Sequence, residues 1–90
     1  MSVSAVEIEA ALAAALQPER LEVTDDSHLH AGHAGAREGR HFSVLLVSRR
    51  FQGLGRVARH RLVYDALDAL MGRGIHALAI DARTPGDPLT

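Results

Sequence analysis

His41-Phe42-Ser43-Val44-Leu45-Leu46-Val47-Ser48 is the stretch from which the fold can be read. Val44 to Val47 are apolar without interruption, so a strand here is covered on both faces and belongs in the middle of a sheet. The next 30 or so residues decide the topology. Phe51-Gln52-Gly53-Leu54-Gly55 reads as a turn, and from about Arg56 to Met71 the apolar residues recur at helical spacing. Projection at about 100° per residue puts Val57, His60, Val63, Tyr64, Leu67, Leu70 and Met71 on one face, with Arg61, Asp65 and Asp68 opposite. Gly72 and Gly74 stop the helix, and Ile75-His76-Ala77-Leu78-Ala79-Ile80 is the next strand. A helix of about 15 residues between two strands has the length of a parallel crossover.

Upstream, Ser4 and Glu7 fit a capping box. Val6, Ala10, Ala13 and Leu16-Gln17 form an apolar stripe, widened by Ile8 and Leu12, which predicts a helix over 4–16 ended by Pro18. Leu21-Glu22-Val23-Thr24 alternates and predicts a short strand running to about Ser27, antiparallel to the strand at 41–48. Between the two lies His28-Leu29-His30-Ala31-Gly32-His33-Ala34-Gly35-Ala36-Arg37-Glu38-Gly39-Arg40, with three Gly and almost nothing to bury. A loop so long in so small a domain is usually functional or disordered. The expected class is α+β, in the order α-β-β-α-β with an extra helical turn before the long helix. A three-stranded mixed sheet would carry its helices on one face. The 90 residues form one domain, with a core over about 5–85 and a short tail at 84–90.

At 9.7 kDa there is no room for a second domain, and the buried core is modest. Hydrophobic residues make up 47% and charged residues 23%, which excludes wholesale disorder. No apolar run approaches the roughly 18 residues of a membrane span, and no basic stretch leads into an apolar one at the start. A soluble, cytoplasmic protein is expected. The net charge of −1 hides a polar distribution. Residues 1–30 hold six acids and one Arg, residues 31–64 seven Arg and one Glu, and residues 65–90 four Asp and two Arg. All ten basic residues are Arg. That suits forked contacts with carboxylates and phosphates, and equally reflects a GC-rich genome.

There is no cysteine, so disulfides, thiolate nucleophiles and Cys-based metal sites are excluded together. Any metal must be held by His, Asp or Glu. Six histidines against three aromatic residues is the one compositional oddity. The topology gathers five of them. If the last strand is parallel to the central one, His41 and His76 both stand at strand starts on one sheet edge, and the loop bearing His28, His30 and His33 enters there too. His-x-His-x2-His spacing suits imidazole ligation, although such a loop is equally a solvated one. His76 shares its strand face with Leu78 and Ile80, and a buried imidazole bonded to a backbone carbonyl is the simpler reading of it. His60 falls within the apolar face of the long helix and is read as structural.

Other signals are weaker. Gly32-His33-Ala34-Gly35 matches the GxxG clamp of KH domains, but that clamp joins two helices and this segment joins two strands. Arg56, Arg59 and Arg61, with Arg49 and Arg50, make a basic region at the start of the long helix. This could be a helix-turn-helix reader of DNA or simply a solvated face. Three aromatics give base stacking little support. No P-loop, strand-linked GxGxxG or HExxH occurs, and Ser27-His28 adjacency is no nucleophile–base pair. A binding module is expected, not an enzyme.

Taken together, certain residues resemble a known family. Leu21-Glu22-Val23, Asp26-Ser27, His41-Phe42-x-Val44-x-x-Val47-Ser48, Phe51-x-Gly53, Val57-x-Arg59-His60-Arg61-Leu62-Val63-Tyr64, Ile75-His76-Ala77-Leu78 and Thr84-Pro85 closely resemble the BolA family in its long-loop form. The likeness covers about residues 5–85. It implies a KH-like α-β-β-α-α-β core. It also implies partnership with monothiol glutaredoxins, in which a [2Fe–2S] cluster is shared among the glutaredoxin thiolate, glutathione and two ligands from the BolA-like chain. A second implied activity is transcriptional regulation through DNA. The family's C-terminal ligand falls on His76. Its variable second ligand falls among His33, His30 and His41, ranked in that order because Gly32 and Gly35 let the backbone at His33 bend toward the sheet edge. With no Cys here, this chain can offer imidazoles alone. Where the family often has an acid and a Trp after Thr-Pro, Gly86-Asp87-Pro88-Leu89 stands instead.

Overall fold

The computed structural model describes residues 3–26 and 40–87, and for Arg40 and His76 the backbone alone. Its elements run α1 (Ala5–Leu16), β1 (Arg20–Asp25), β2 (Arg40–Val47), a 3-10 turn (Arg49–Phe51), α2 (Arg56–Ala66), α3 (Asp68–Met71) and β3 (Ile75–Arg83). The expected extra helical turn before the long helix is therefore present. So is the mixed sheet, in the order β1-β2-β3. β1 pairs antiparallel with β2, and β2 pairs parallel with β3. The described part of the predicted loop at 28–40 is Arg40, which opens β2; the rest lies outside the described residues, as does Ser27.

α1 begins where the Ser4 hydroxyl accepts the Glu7 backbone N–H at 3.2 Å. It ends at Gln17, whose backbone turns left-handed (φ 45°) ahead of Pro18 and donates to Ala13 O. Its buried face is Ile8, Leu12 and Leu16, four residues apart. Val6 is 74% exposed, and Ala10 and Ala13 also face outward, so the predicted stripe is rotated. The larger Ile and Leu side chains remove more apolar area from water than alanines do, and they set which side turns inward.

The long helix predicted over 56–71 is two helices. At Leu67 the backbone leaves helical geometry (φ −101°, ψ 8°) and its N–H is shared between Val63 O and Tyr64 O. Leu67 is fully buried at the break, and Leu70 and Met71 pack against the core beyond it. The inward face is Leu62, Val63, Ala66 and Leu67; Val57 (73% exposed) and Tyr64 (41%) lie outside it, contrary to the periodicity. A helix this rich in apolar residues has more than one plausible inner face, and packing against α1 and β3 chooses among them. Arg61, Asp65 and Asp68 are exposed as expected.

The core lies between the helices and one face of the sheet. Phe42, Val44 and Leu46 of β2 meet Ile8, Leu12, Phe51, Val63 and Leu67 there. The other sheet face carries Thr24, Ser43, Leu45, Ala77 and Ala79, and no described helix covers it. Ser48 ties the layers together. Fully buried, its hydroxyl donates to Leu16 O at 2.7 Å and accepts from Arg50 N at 3.1 Å. Removing it leaves a helix-terminal carbonyl unpaired inside the protein. Ser48→Ala should therefore lower unfolding stability by about 1–3 kcal/mol in denaturant titration. Leu12→Ala, which opens a cavity, should cost about 2–5 kcal/mol.

Candidate metal centre

The parallel pairing of β2 and β3 puts both strand starts at one edge of the sheet. Arg40 aligns with Ile75 and His41 with Ala77, so the backbone of His76 lies between two registered positions. It has no opposite number: the register slips by one residue here. Strict alternation, which groups residue 76 with Leu78 and Ile80, is interrupted at this point. β1 delivers Asp26 to the same edge, its N–H donating to His41 O at 2.7 Å. Both ends of the 27–39 segment, Asp26 and Arg40, thus meet the sheet beside His41. His28, His30 and His33 lie outside the described residues.

An open cleft runs over this edge, lined by Asp26, His41, Phe42, Ser43, Ala77, Leu78 and Ala79. His41 is half-buried. The Asp26 carboxylate accepts a hydrogen bond from the Ser43 hydroxyl. Among the described residues no three His, Cys, Asp or Glu side chains gather as a complete metal site. What the described edge does offer is one imidazole, His41, and one carboxylate, Asp26, beside the strand start bearing His76, and both are donor types that bind divalent metals. The sequence places the strand starts at 41 and 76 on one edge, and the backbone pairing does so too. Asp26, set opposite His41 by continuing the β1–β2 register one step, was not singled out from the sequence.

His60 lies elsewhere. Half-buried rather than enclosed in the core, it lines a second cleft with Arg56, Ile80, Asp81, Ala82, Arg83 and Asp87, toward the far end of β3. The basic region divides. Arg56 and Arg61 are exposed at the surface of α2. Arg59 is turned inward as a clamp, with Nε donating to Leu54 O (2.8 Å) and Nη1 to Ala82 O (3.2 Å) and Asp87 Oδ2 (2.9 Å). Its guanidinium is engaged within the fold, a role the sequence did not disclose. The Asp87 carboxylate also accepts the Thr84 N–H at 3.0 Å, so the turn after β3 is locked onto α2. Nearby, Arg83 grips Asp81 with two nitrogens and holds its carboxyl below the usual range.

The comparisons accord with this fold. A family model described as BolA-like protein matches residues 12–87. A Sinorhizobium relative, "Uncharacterized protein in cobS 5'region", is 45% identical over 84 residues, 90% of each chain. The "DNA-binding transcriptional regulator BolA" of Escherichia coli is 44% identical over 77 residues, 86% of this chain and 71% of that one. Among solved structures, BolA1 from Arabidopsis thaliana superposes with a TM-score of 0.81 at 39% identity, covering 98% of this chain and 99% of that one. The BolA domain of SufE1 from the same plant gives 0.80 at 45% identity, covering 94% and 95%. The full SufE-like protein 1 is longer, and this chain spans 21% of it. The fold is thus an α+β domain in which helices pack on one face of a three-stranded mixed sheet. The chain belongs to the BolA family.

Asp87 supports a prediction on the clamp. The Thr84 backbone N–H first, then Arg59 and the Thr84 hydroxyl, lower its pKa from 3.8 to about 2. A depressed folded-state pKa means stability that is present above the unfolded value and lost as pH falls through the folded one. Wild type should be more stable than Asp87→Asn at pH 5, and the gap should close between about pH 4 and pH 2 when thermal unfolding is followed by circular dichroism.

Proposed function

We propose that this protein is a non-enzymatic partner of a monothiol glutaredoxin, with which it shares a [2Fe–2S] cluster in cluster assembly, trafficking or iron and redox regulation. On this reading the glutaredoxin thiolate and glutathione provide two ligands, and this chain provides two imidazoles. His76 is one, and His33, then His30, then His41 are the candidates for the other. The supporting observation is the parallel β2–β3 register, which brings His41 and the backbone of His76 to one strand edge beside an open cleft. Two imidazoles in place of thiolates on one iron raise a cluster's potential and couple it to protonation.

Mixing the protein with a glutathione-loaded, cluster-bearing monothiol glutaredoxin should change the visible spectrum and yield a heterodimer on gel filtration. His76→Ala should abolish the change; an unaltered spectrum would remove His76 from the assignment. In the reduced complex, His33→Ala should eliminate one of two imidazole-nitrogen couplings in pulsed electron paramagnetic resonance. Loss with His30→Ala or His41→Ala instead would reassign the second ligand.

The alternative is DNA binding through α2, favoured by two surface-exposed arginines, Arg56 and Arg61, and by the name of the Escherichia coli relative. Phosphate contacts make affinity fall by about 0.9 log units per log unit of salt for each contact. Arg56→Ala/Arg61→Ala should flatten that slope by about two contacts in duplex titrations at two salt concentrations. Identical binding by both proteins would take α2 out of the DNA reading.

A further inference from the structure

The first two turns of α2 carry a surface that neither the core nor the strand-edge site uses. Val57, Arg61 and Tyr64, at i, i+4 and i+7, share one outward side of the helix, and all three are exposed. Arg56 is exposed beside them, and half-buried His60 joins it in the wall of the cleft toward the end of β3. Among the described residues the large exposed apolar side chains are Val6, Val57 and Tyr64, so this side holds two of the three. Its charge has one sign: residues 41–64 contain five arginines and no acid. Arg59 is engaged inside the fold, while Arg49 and Arg50 reach Glu19 and Gln17. Arg56 and Arg61 have no ion-pair partner among the described residues. A phosphate backbone would engage these two cations and leave Val57 and Tyr64 in water. A protein segment with carboxylates around an apolar side chain engages all four, and the water it excludes strengthens each ion pair. Tyr and Arg are also among the residue types enriched at protein interfaces.

We propose that this side of α2 is the docking surface for an acidic segment of a protein partner. The segment's apolar side chain sits between Val57 and Tyr64, and its carboxylates meet Arg56 and Arg61. The proposal goes beyond the cluster-sharing reading and does not rest on it. Val57 to Tyr64 spans about 10 Å at about 1.5 Å per residue. The contact is therefore short and belongs with small, transient interfaces, which opposite charge assembles quickly. It is also sensitive to salt, because exposed pairs are screened.

The test pans the immobilised full chain against a random peptide library and titrates the strongest peptide, fluorescently labelled, by anisotropy. Enriched peptides should combine Asp or Glu with Leu, Ile or Phe. Val57→Ser should weaken binding at least about tenfold, and Tyr64→Ser reads the same effect should the first variant not fold. Arg56→Ala/Arg61→Ala should weaken it at low salt and flatten its salt dependence. Val6→Ser removes an equally exposed side chain from α1, a helix with no basic residue, and should leave binding unchanged. Enriched peptides without acids, or binding that Val57→Ser and Tyr64→Ser leave at the wild-type strength, overturn the proposal. A labelled DNA duplex that binds wild type and Val57→Ser alike, with no peptide enriched, gives the face to DNA and overturns it too. So does a dimer in sedimentation that Val57→Ser dissolves, which gives the face to a second copy.

Discussion

Laying β3 parallel to β2 is the constraint on which the remaining structure turns. Parallel neighbours cannot be joined by a hairpin, so the chain must return across one face of the sheet, and here it does so through α2 and α3. That return fills the space above Phe42, Val44 and Leu46 and leaves the opposite face without a described helix on it. The same geometry puts the beginnings of both strands at one edge. β1, added antiparallel, brings its own end to that edge as well. Three chain segments of low sequence proximity thus converge through backbone pairing, before any side chain takes part.

β3 is an outer strand of the sheet, and such edges invite unwanted pairing. Arg59 addresses this in part by donating to Ala82 O while gripping Asp87 and Leu54 O. One guanidinium thereby joins the start of α2, the end of β3 and the turn beyond it. Its planar fork of donors is suited to three acceptors at once, which a lysine could not satisfy in the same geometry. Asp87 has a structural task in this chain: it closes the 84–87 turn and pairs with Arg59.

The elements themselves were legible because their signals are local. The uninterrupted apolar run at 44–47, the capping serine at 4 and the glycines at 72 and 74 each act within a few residues. Faces were harder. Val6, Val57 and Tyr64 are apolar and periodic yet exposed, since an apolar-rich helix permits several inner faces and only its neighbours decide. The break at Leu67 has no Pro or Gly to announce it, and the apolar spacing of Val63, Leu67 and Leu70 suits an unbroken helix equally well, so nothing local in the sequence marks it. Arg59 read as one cation in a basic run, and nothing in the run itself marks which of its members turns inward. The pairing of Asp26 with His41 was not legible because Asp26 sits at a strand end, where alternation no longer assigns a partner and only the register does.

Packing also explains why the strand-edge site has its irregular backbone. Ile75 is buried at 7% exposure, and Leu78 packs against the same core from three residues further on. In a regular strand, residues an odd number apart face opposite sides, so both cannot point inward. One extra residue must be accommodated between them, and the register shows where: Arg40 aligns with Ile75 and His41 with Ala77, so His76 falls between registered pairs. The demand that two neighbours share the core therefore releases His76 from the ladder. Such irregularities are over-represented at sheet edges and beside functional sites because they free a residue from the alternation around it. Here the residue released from the ladder is the histidine proposed above as a cluster ligand, and the packing of Ile75 and Leu78 is what releases its backbone.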